Sequence, residues 1–578
     1  MFCLIVWLYS FLSVASCHVS RAHEIQHVVD TGYAQYLGQY SFPNTVSYLG
    51  LPYAEPPLGK LRFRKPLPLN TTRLREEHNG VIDARSYPNF CVQGGRDGLA
   101  GGAGTEDCLK VNIYSPVGTS RDAKLPVLVF LHGGGYIFGN PRNFPFEHWI
   151  QEFPNVIIVS VYYRLNSLGF LAHPDFLSDV DLGDLNVGFL DQIEALKWVR
   201  KYIDTFGGDP EQVTIDGHSA GASSVELHLV AGGIDNNTPL FSRAIAQSVY
   251  RVPLPRPEQQ EPLFNFYANN AGCGNGSIRD KMSCLRSVPV YALARAQDLA
   301  ITPAFDGKYN IFRPVVDGVV IRDYPTKLIM SGEFRDVPLL IGATSNETSI
   351  NQMPAAEGLN FLFPGLNDKD IEEFLHLYPA EDFSSTYQHF QVMTGESVFI
   401  CSVPLIADAF ARRRNDVWTY RYNEPNPTKR SPVVAHSAES WMMFNGTNTG
   451  NNGTSTFTPL GPDDELFSEE LIAYWLSFVR EGNPNVHKRD YSPAWHKYAP
   501  GASGSIGGHV EANVQTPFVD DFGTQIQQKQ RMVLQKRTSD PFFDAYRLQK
   551  SGCFMETLPE AEHGRCVFVG EKVEKEQN

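Results

Sequence analysis

The chain has no Cys-x-x-Cys pair, so the common zinc-site spacings are missing. It is not basic either: 49 lysines and arginines stand against 64 aspartates and glutamates, a formal net charge of −15. That balance argues against nucleic acid or an anionic membrane surface as a partner. No repeat, low-complexity stretch or long polar linker divides the 578 residues. The expectation is therefore one large domain with insertions over 18–550, followed by a C-terminal tail over 551–578. The closing GEKVEKEQN is charged and carries no apolar tail for a lipid-linked anchor. At the other end, Met1–Ser16 is apolar and uncharged, ends in small residues around Val14-Ala15-Ser16-Cys17, and is short for a membrane span. It reads as a signal peptide over 1–17, which makes the expected protein secreted and extracellular, with no stable membrane anchor.

Of the nine cysteines, Cys3 leaves with the signal and Cys17 lies at its boundary. Pairing the others with their neighbours along the chain gives Cys91–Cys108, Cys273–Cys284 and Cys553–Cys566, and leaves Cys401 single. Spacing by itself does not fix connectivity. Secretion also gives meaning to the N-x-S/T sequons. Asn70, Asn236, Asn275, Asn445 and Asn452 are glycosylation candidates, and a sixth sequon begins at Asn346.

The stretch around which the chain converges is Gln212–Val230, QVTIDGHSAGASSVELHLV. Gln212–Ile215 alternates and is β-branched, as in a strand. Ala220–Val230 has helical spacing. Between them lies Gly217-His218-Ser219-Ala220-Gly221, the G-x-S-x-G of a nucleophile elbow. With 48 glycines in the chain, roughly 0.3 such matches arise by chance, so context must decide. Leu125–Leu131 and Val156–Val161 are continuous apolar runs that suit strands buried on both faces. The first ends in His132-Gly133-Gly134-Gly135, where glycine permits close approach of backbone N–H groups to an oxyanion. Helical periodicity runs over Asp191–Phe206 and Leu466–Arg480, with a shorter stretch at Ala407–Arg413. Val337–Ile341 and Val417–Tyr422 read as further strands. Alternating strands and helices imply an open α/β sheet, with chemistry at the carboxyl ends of its strands.

A serine hydroxyl needs a base, and the base needs a carboxylate to fix its tautomer. In the chain order Ser, acid, His, both partners must follow the elbow. Glu347 is the only carboxylate in GATSNET, immediately past Val337–Ile341. Of the late histidines, His376 sits in helical FLHLY and His496 and His509 lie in loops. His436, in PVVAHSAE after Val417–Tyr422, stands best for the base.

Together these features resemble the type-B carboxylesterase family, which includes cholinesterases and fungal lipases, and most closely its secreted fungal members. The stretches that carry the likeness are Tyr53–Phe63 YAEPPLGKLRF, Glu106–Tyr114 EDCLKVNIY, His132–Gly139 HGGGYIFG, Tyr163–Leu171 YRLNSLGFL, Leu190–Asp209, the GHSAG itself, Arg313–Gly318 RPVVDG and Asn346-Glu347-Thr348. The resemblance implies an α/β-hydrolase fold: a large, mostly parallel mixed sheet flanked by helices. It implies Ser219 as nucleophile, Glu347 as acid and His436 as base, with an oxyanion hole from the N–H groups of Gly134, Gly135 and Ala220. It places Phe312 as an acyl-pocket aromatic, and His218, beside the nucleophile, is read as a second substrate-pocket residue. The Cys91–Cys108 and Cys273–Cys284 pairings also look like the family's, and Cys401 matches one of its disulfide positions, with no partner evident in the expected C-terminal helix. The chain departs from the pattern at Ser437, where the family usually has glycine, and at Gln247–Tyr250, QSVY rather than QSGS.

The expected activity is hydrolysis of small, soluble, uncharged esters through an acyl-enzyme, with no metal or organic cofactor. A cationic substrate is disfavoured, because the loop between Cys91 and Cys108 has no aromatic residue and His218 replaces the glutamate that a cholinesterase would carry. A lipase or sterol esterase acting on long-chain esters is one alternative. That same loop is rich in glycine, with Val92 and Leu99 its only sizeable apolar residues, too little for a lid on a lipid surface. The other alternative is a non-catalytic adhesion protein, which the intact Ser219, Glu347 and His436 argue against.

Overall fold

In the computed structural model the described residues are 27–77, 80–94, 104–232, 239–348, 353–449, 455–500, 529–537 and 550–578. The expected signal peptide, Leu99, His509, Asn236 and Asn452 lie outside them.

The apolar runs become the middle of a thirteen-stranded sheet. Seven consecutive strands are parallel, in the spatial order Ile157–Val161, Leu125–Leu131, Gly208–His218, Arg243–Gln247, Leu339–Thr344, Val417–Tyr422 and Gln530–Leu534. Antiparallel strands extend both edges: Lys110–Pro116, Thr45–Pro52, Gln35–Phe42 and His27–Asp30 on one side, and Phe554–Thr557 on the other. Along Leu125–Leu131, Val127, Val129 and Leu131 face one hydrophobic core while Leu128 and Phe130 face a second on the opposite side. Burial on both faces is why this strand is apolar without alternation.

The register sets the site. Leu131 lies opposite Gly217, Gly217 opposite Ala246, and Gln247 beside both His218 and Gly342. The residues that follow these positions (His132, Ser219, Ser248 and the turn carrying Glu347) therefore emerge together at one edge of the sheet.

The expected helices form with shifted bounds. The helix read at Asp191–Phe206 is α-helical over Val187–Tyr202 and closes in a tight turn, Ile203–Phe206, and that read at Leu466–Arg480 spans Pro462–Glu481. The elbow helix Ala220–Val230 is buried along its whole length, polar Glu226 and His228 included. An amphipathic surface helix would leave one face wet. This one is sandwiched in the protein, which spacing alone does not reveal. Thr386–Arg412 is long and apolar enough to cross a membrane, and 89% of its most apolar window is buried in the fold.

Two readings of the C-terminal region change. Cys566 is bonded to Cys401 across 165 residues, not to Cys553, which is a buried free thiol. Cys553 precedes the edge strand Phe554–Thr557 while Cys566 sits in the helix Glu560–Glu571, and that helix packs on the region of Cys401. Short sequence separation favoured the wrong pair because proximity along the chain is not proximity in the fold. The other two disulfides, Cys91–Cys108 and Cys273–Cys284, form as read. Residues 551–578, read as a tail, instead complete the sheet edge and pack on the core. Their charges are matched there: Glu576 and Arg251 pair at 3.0 Å, both fully buried, and Lys572 reaches Asp370 at 3.0 Å.

Candidate active site

Ser219 sits between the strand Gly208–His218 and the helix Ala220–Val230 with φ 59° and ψ −123°, a conformation that non-glycine residues rarely adopt and that costs roughly 1–3 kcal/mol. The flanking glycines make it possible. A Cβ on Gly217 would lie 2.2 Å from the carbonyl oxygen of Gly221, and one on Gly221 would lie 2.0 Å from that of Leu131. The Ser219 amide donates to the Gln247 carbonyl at 2.8 Å, which ties the elbow to the next strand.

The three residues read from sequence come together. His436 Nε2 is 2.8 Å from Ser219 Oγ, and His436 Nδ1 is 2.5 Å from Glu347 Oε2. Glu347 is buried, and its other oxygen accepts from the Ser248 hydroxyl at 2.6 Å and from the Thr344 amide at 2.7 Å. Burial works against the charged form of His436, but the charge and hydrogen bond of Glu347 outweigh it and hold the imidazole above its ordinary value. His436 thus has a defined tautomer partner and a stabilised cation.

The glycine loop closes the other side. Gly134 and Gly135 adopt φ 117° and 61°. A Cβ on Gly134 would lie 1.9 Å from the Phe138 carbonyl, so only glycine fits. Among the described residues, the amides of Gly134, Gly135 and Ala220 donate to no protein acceptor, and Ala220 opens the helix N-terminus. Such donors suit a developing oxyanion. His132 anchors the loop: its Nδ1 lies 2.8 Å from the Gly133 carbonyl, its ring stacks on Tyr163 at 4.5 Å, and burial pushes it down to about 4.

A carboxylesterase family model matches residues 26–517, a span that contains the strands, the elbow, the glycine loop and the residues just described. The chain belongs to the carboxylesterase family. Cocaine esterase of Oryctolagus cuniculus is 32% identical, covering 76% of this chain and 84% of that one, and pyrethroid hydrolase Ces2e of Rattus norvegicus is 31% identical over 78% and 80%. Acetylcholinesterase of Bungarus fasciatus is 30% identical over 85% and 84%. The crystal structure of Aspergillus niger EstA superposes with a TM-score of 0.78 at 27% identity, covering 96% of this chain and all of that one. The protein is an α/β-hydrolase and a carboxylic-ester hydrolase.

Other side chains of this carboxylesterase surround these groups. Phe312 lies in the core, its ring edge-on to Tyr267 at 5.2 Å. The aromatic against the His436 imidazole is Phe399, at 4.4 Å, itself stacked on Tyr250 at 5.4 Å. Phe399 belongs to a π-helical stretch, Glu396–Ile400, between two α-helices. Such bulges gather at functional sites, but nothing in the residue types there announces the extra backbone residue. Ser248 was visible only as part of QSVY; its φ of 58° turns its hydroxyl onto Glu347. His218, read as a substrate-pocket residue, is 5% exposed and stacks against His436 at 5.0 Å.

Proposed function

We propose that this carboxylesterase is a secreted serine hydrolase of small, soluble, uncharged esters. The observation that carries the reading is the continuous relay from Ser219 Oγ through His436 to Glu347 at 2.8 and 2.5 Å. Ser219 attacks the ester carbonyl as His436 Nε2 takes its proton. The carbonyl oxygen becomes an oxyanion in reach of the Gly134, Gly135 and Ala220 amides. The imidazolium gives its proton to the leaving alcohol, and the acyl-enzyme remains. Water then attacks that ester by the same route and frees the acid and the serine. One oxyanion donor is typically worth about 3–4 kcal/mol of transition-state stabilisation.

The preference for neutral substrates rests on His218. Burial, first, and the neighbouring His436 push its imidazole far below the ordinary value, so the position beside the nucleophile is uncharged. The preference for short acyl groups rests on Phe399 and Tyr250 beside the base and on the small apolar content of the Cys91–Cys108 loop. Secretion is supported by the three disulfides.

The test is pre-steady-state hydrolysis of p-nitrophenyl acetate: a burst of p-nitrophenol equal to the active sites, absent in Ser219→Ala, is expected. Rates across acyl-chain lengths, and for a neutral ester against its quaternary-ammonium analogue, then examine the substrate class. A rate jump as a long-chain ester passes its solubility limit would refute the soluble-ester reading.

A further inference from the structure

Ser437, where the chain departs from the family pattern, lies beside His218, which stands where a cholinesterase would carry glutamate. His218 Nε2 lies 3.4 Å from Ser437 Oγ and 3.5 Å from Glu439 Oε1. The His218 ring lies nearly parallel to that of His436, centroids 5.0 Å apart and planes 26° apart. On its other nitrogen, His218 backs onto the glycine loop, where a Cβ on Gly133 would come within 3.3 Å of Nδ1.

Ser437 occupies a left-handed conformation, φ 68° and ψ 16°, at the start of the helix Ala438–Met443. Glycine takes that conformation freely, whereas a residue with a Cβ is disfavoured by roughly 1–2 kcal/mol. A serine kept there against that cost carries one extra group, the hydroxyl, and that hydroxyl faces His218. Glu439 is 3% exposed, and neither of its carboxylate oxygens has a hydrogen-bond partner among the described residues. An unpaired buried carboxylate is expensive; here it sits against the His218 imidazole and within the electrostatic reach of His436.

We propose that His218, Ser437 and Glu439 form a second imidazole–carboxylate pair that positions the ring of His436 and stabilises its cationic form in both halves of the hydrolytic cycle. The inference rests on the serine-hydrolase reading above. Nothing is transferred to the pair: the proton stays on His436 until it passes to the leaving group. The groups facing His436 are Ser219, Glu347, His218, Phe399 and Glu439. Those facing Glu439 are Glu347, His436, His218, Tyr420 and Tyr422. Burial, reinforced by Glu347, pushes Glu439 up to about 7, so its charge appears near neutral pH. Once ionised, it adds to Glu347 in holding the proton on His436. His218 stays neutral and adds no competing positive charge.

The experiment is the pH profile of p-nitrophenyl acetate hydrolysis by the full chain and by three variants, Glu439→Gln, His218→Gln and Ser437→Gly. The base works when neutral, so kcat/KM rises with pH through its titration. Removing the Glu439 charge lets the proton leave more easily, and the acid limb moves to lower pH by about half to one unit. Limiting kcat falls on the order of 10-fold, short of the roughly 100-fold that a 1 Å misplacement brings, while KM stays within about twofold. His218→Gln keeps a donor toward Glu439 but loses the stacked ring, and loses less kcat than Glu439→Gln. Ser437→Gly relaxes the backbone, so it folds at least as well as the parent while lowering kcat by about threefold.

If Glu439→Gln leaves the acid limb within about 0.2 unit and all three variants keep kcat within twofold, the proposal is wrong. If Glu439→Gln does not fold, Ser437→Gly decides by the same kcat criterion. In Ser219→Ala, which turns nothing over, the His436 imidazole signals in NMR should still titrate lower when Glu439 is also Gln. That readout stands apart from turnover, so an unreactive wild type would overturn the serine reading while the titration still judged the pair.

Discussion

Replacing Ser248 by alanine isolates one link in the relay. The hydroxyl donates at 2.6 Å to Glu347 Oε1, and the carboxylate is 1% exposed, so water cannot replace the lost donor. Alanine inherits the same positive φ of 58° and loses only an oxygen, which leaves the local backbone as it is. A hydrogen bond to a charged group contributes about 1.5–3 kcal/mol. The Thr344 amide still holds Oε1 at 2.7 Å, and Oε2 still faces His436 at 2.5 Å, so the carboxylate keeps its place but loses stabilisation of its charge. Only the part of that energy needed to balance the imidazolium of the transition state appears in kcat. Half to all of it gives about 3- to 150-fold, at about 1.4 kcal/mol per factor of ten. KM changes little, because Ser248 does not reach Ser219 or the glycine loop. Steady-state kinetics on p-nitrophenyl acetate, with active sites titrated by a fluorophosphonate, measure this directly. A Ser248→Ala enzyme with kcat within twofold of the parent and an unchanged melting temperature would falsify the claim that Glu347 depends on this donor.

Three further outcomes follow from the same coordinates. Ser219→Ala should abolish turnover with the fold intact, and His436→Ala should come close to matching it, because members of such a set act as a unit; near-normal rates in His436→Ala would send the search for the base elsewhere. The Asn346 sequon should carry no glycan, since Asn346 Oδ1 accepts from the Val434 amide at 3.2 Å and its own amide donates to the Val434 carbonyl at 3.0 Å. Exposed Asn70 and Asn275 should carry sugar, and glycopeptide mapping that found Asn346 substantially occupied would count against Glu347 as the acid. Finally, Cys566→Ser should lower stability by about 4–5 kcal/mol on the chain-entropy model for so long a loop, while Cys553→Ala, which breaks no disulfide, should cost far less. Denaturant melts read the difference, and a larger loss in Cys553→Ala would refute the assigned pairing.

Much of the site was legible because its chemistry forces local sequence. The elbow needs glycine at 217 and 221, where any Cβ would strike backbone, and the oxyanion loop needs glycine at 134 for the same reason. Those requirements are written residue by residue, and strands buried on both faces announce themselves as unbroken apolar runs. Glu347 and His436 could be found because each follows such a strand and the fold fixes their order. What the sequence left open depends on contacts between distant segments. Cys401 meets Cys566 because a C-terminal helix docks beside a π-helical stretch, and nothing near either cysteine records that docking. The charges of 551–578 looked solvated until buried partners such as Arg251 were in place. The ring of Phe399 meets that of His436 from a π-helical stretch, where an extra backbone residue re-aims a side chain and no residue type announces it. Local sterics are encoded locally, and the sequence by itself determined the glycine-flanked turn at Ser219 and the sheet that carries it. Only tertiary packing, in which burial and charge pairing act across hundreds of residues, decided which rings and carboxylates surround that serine.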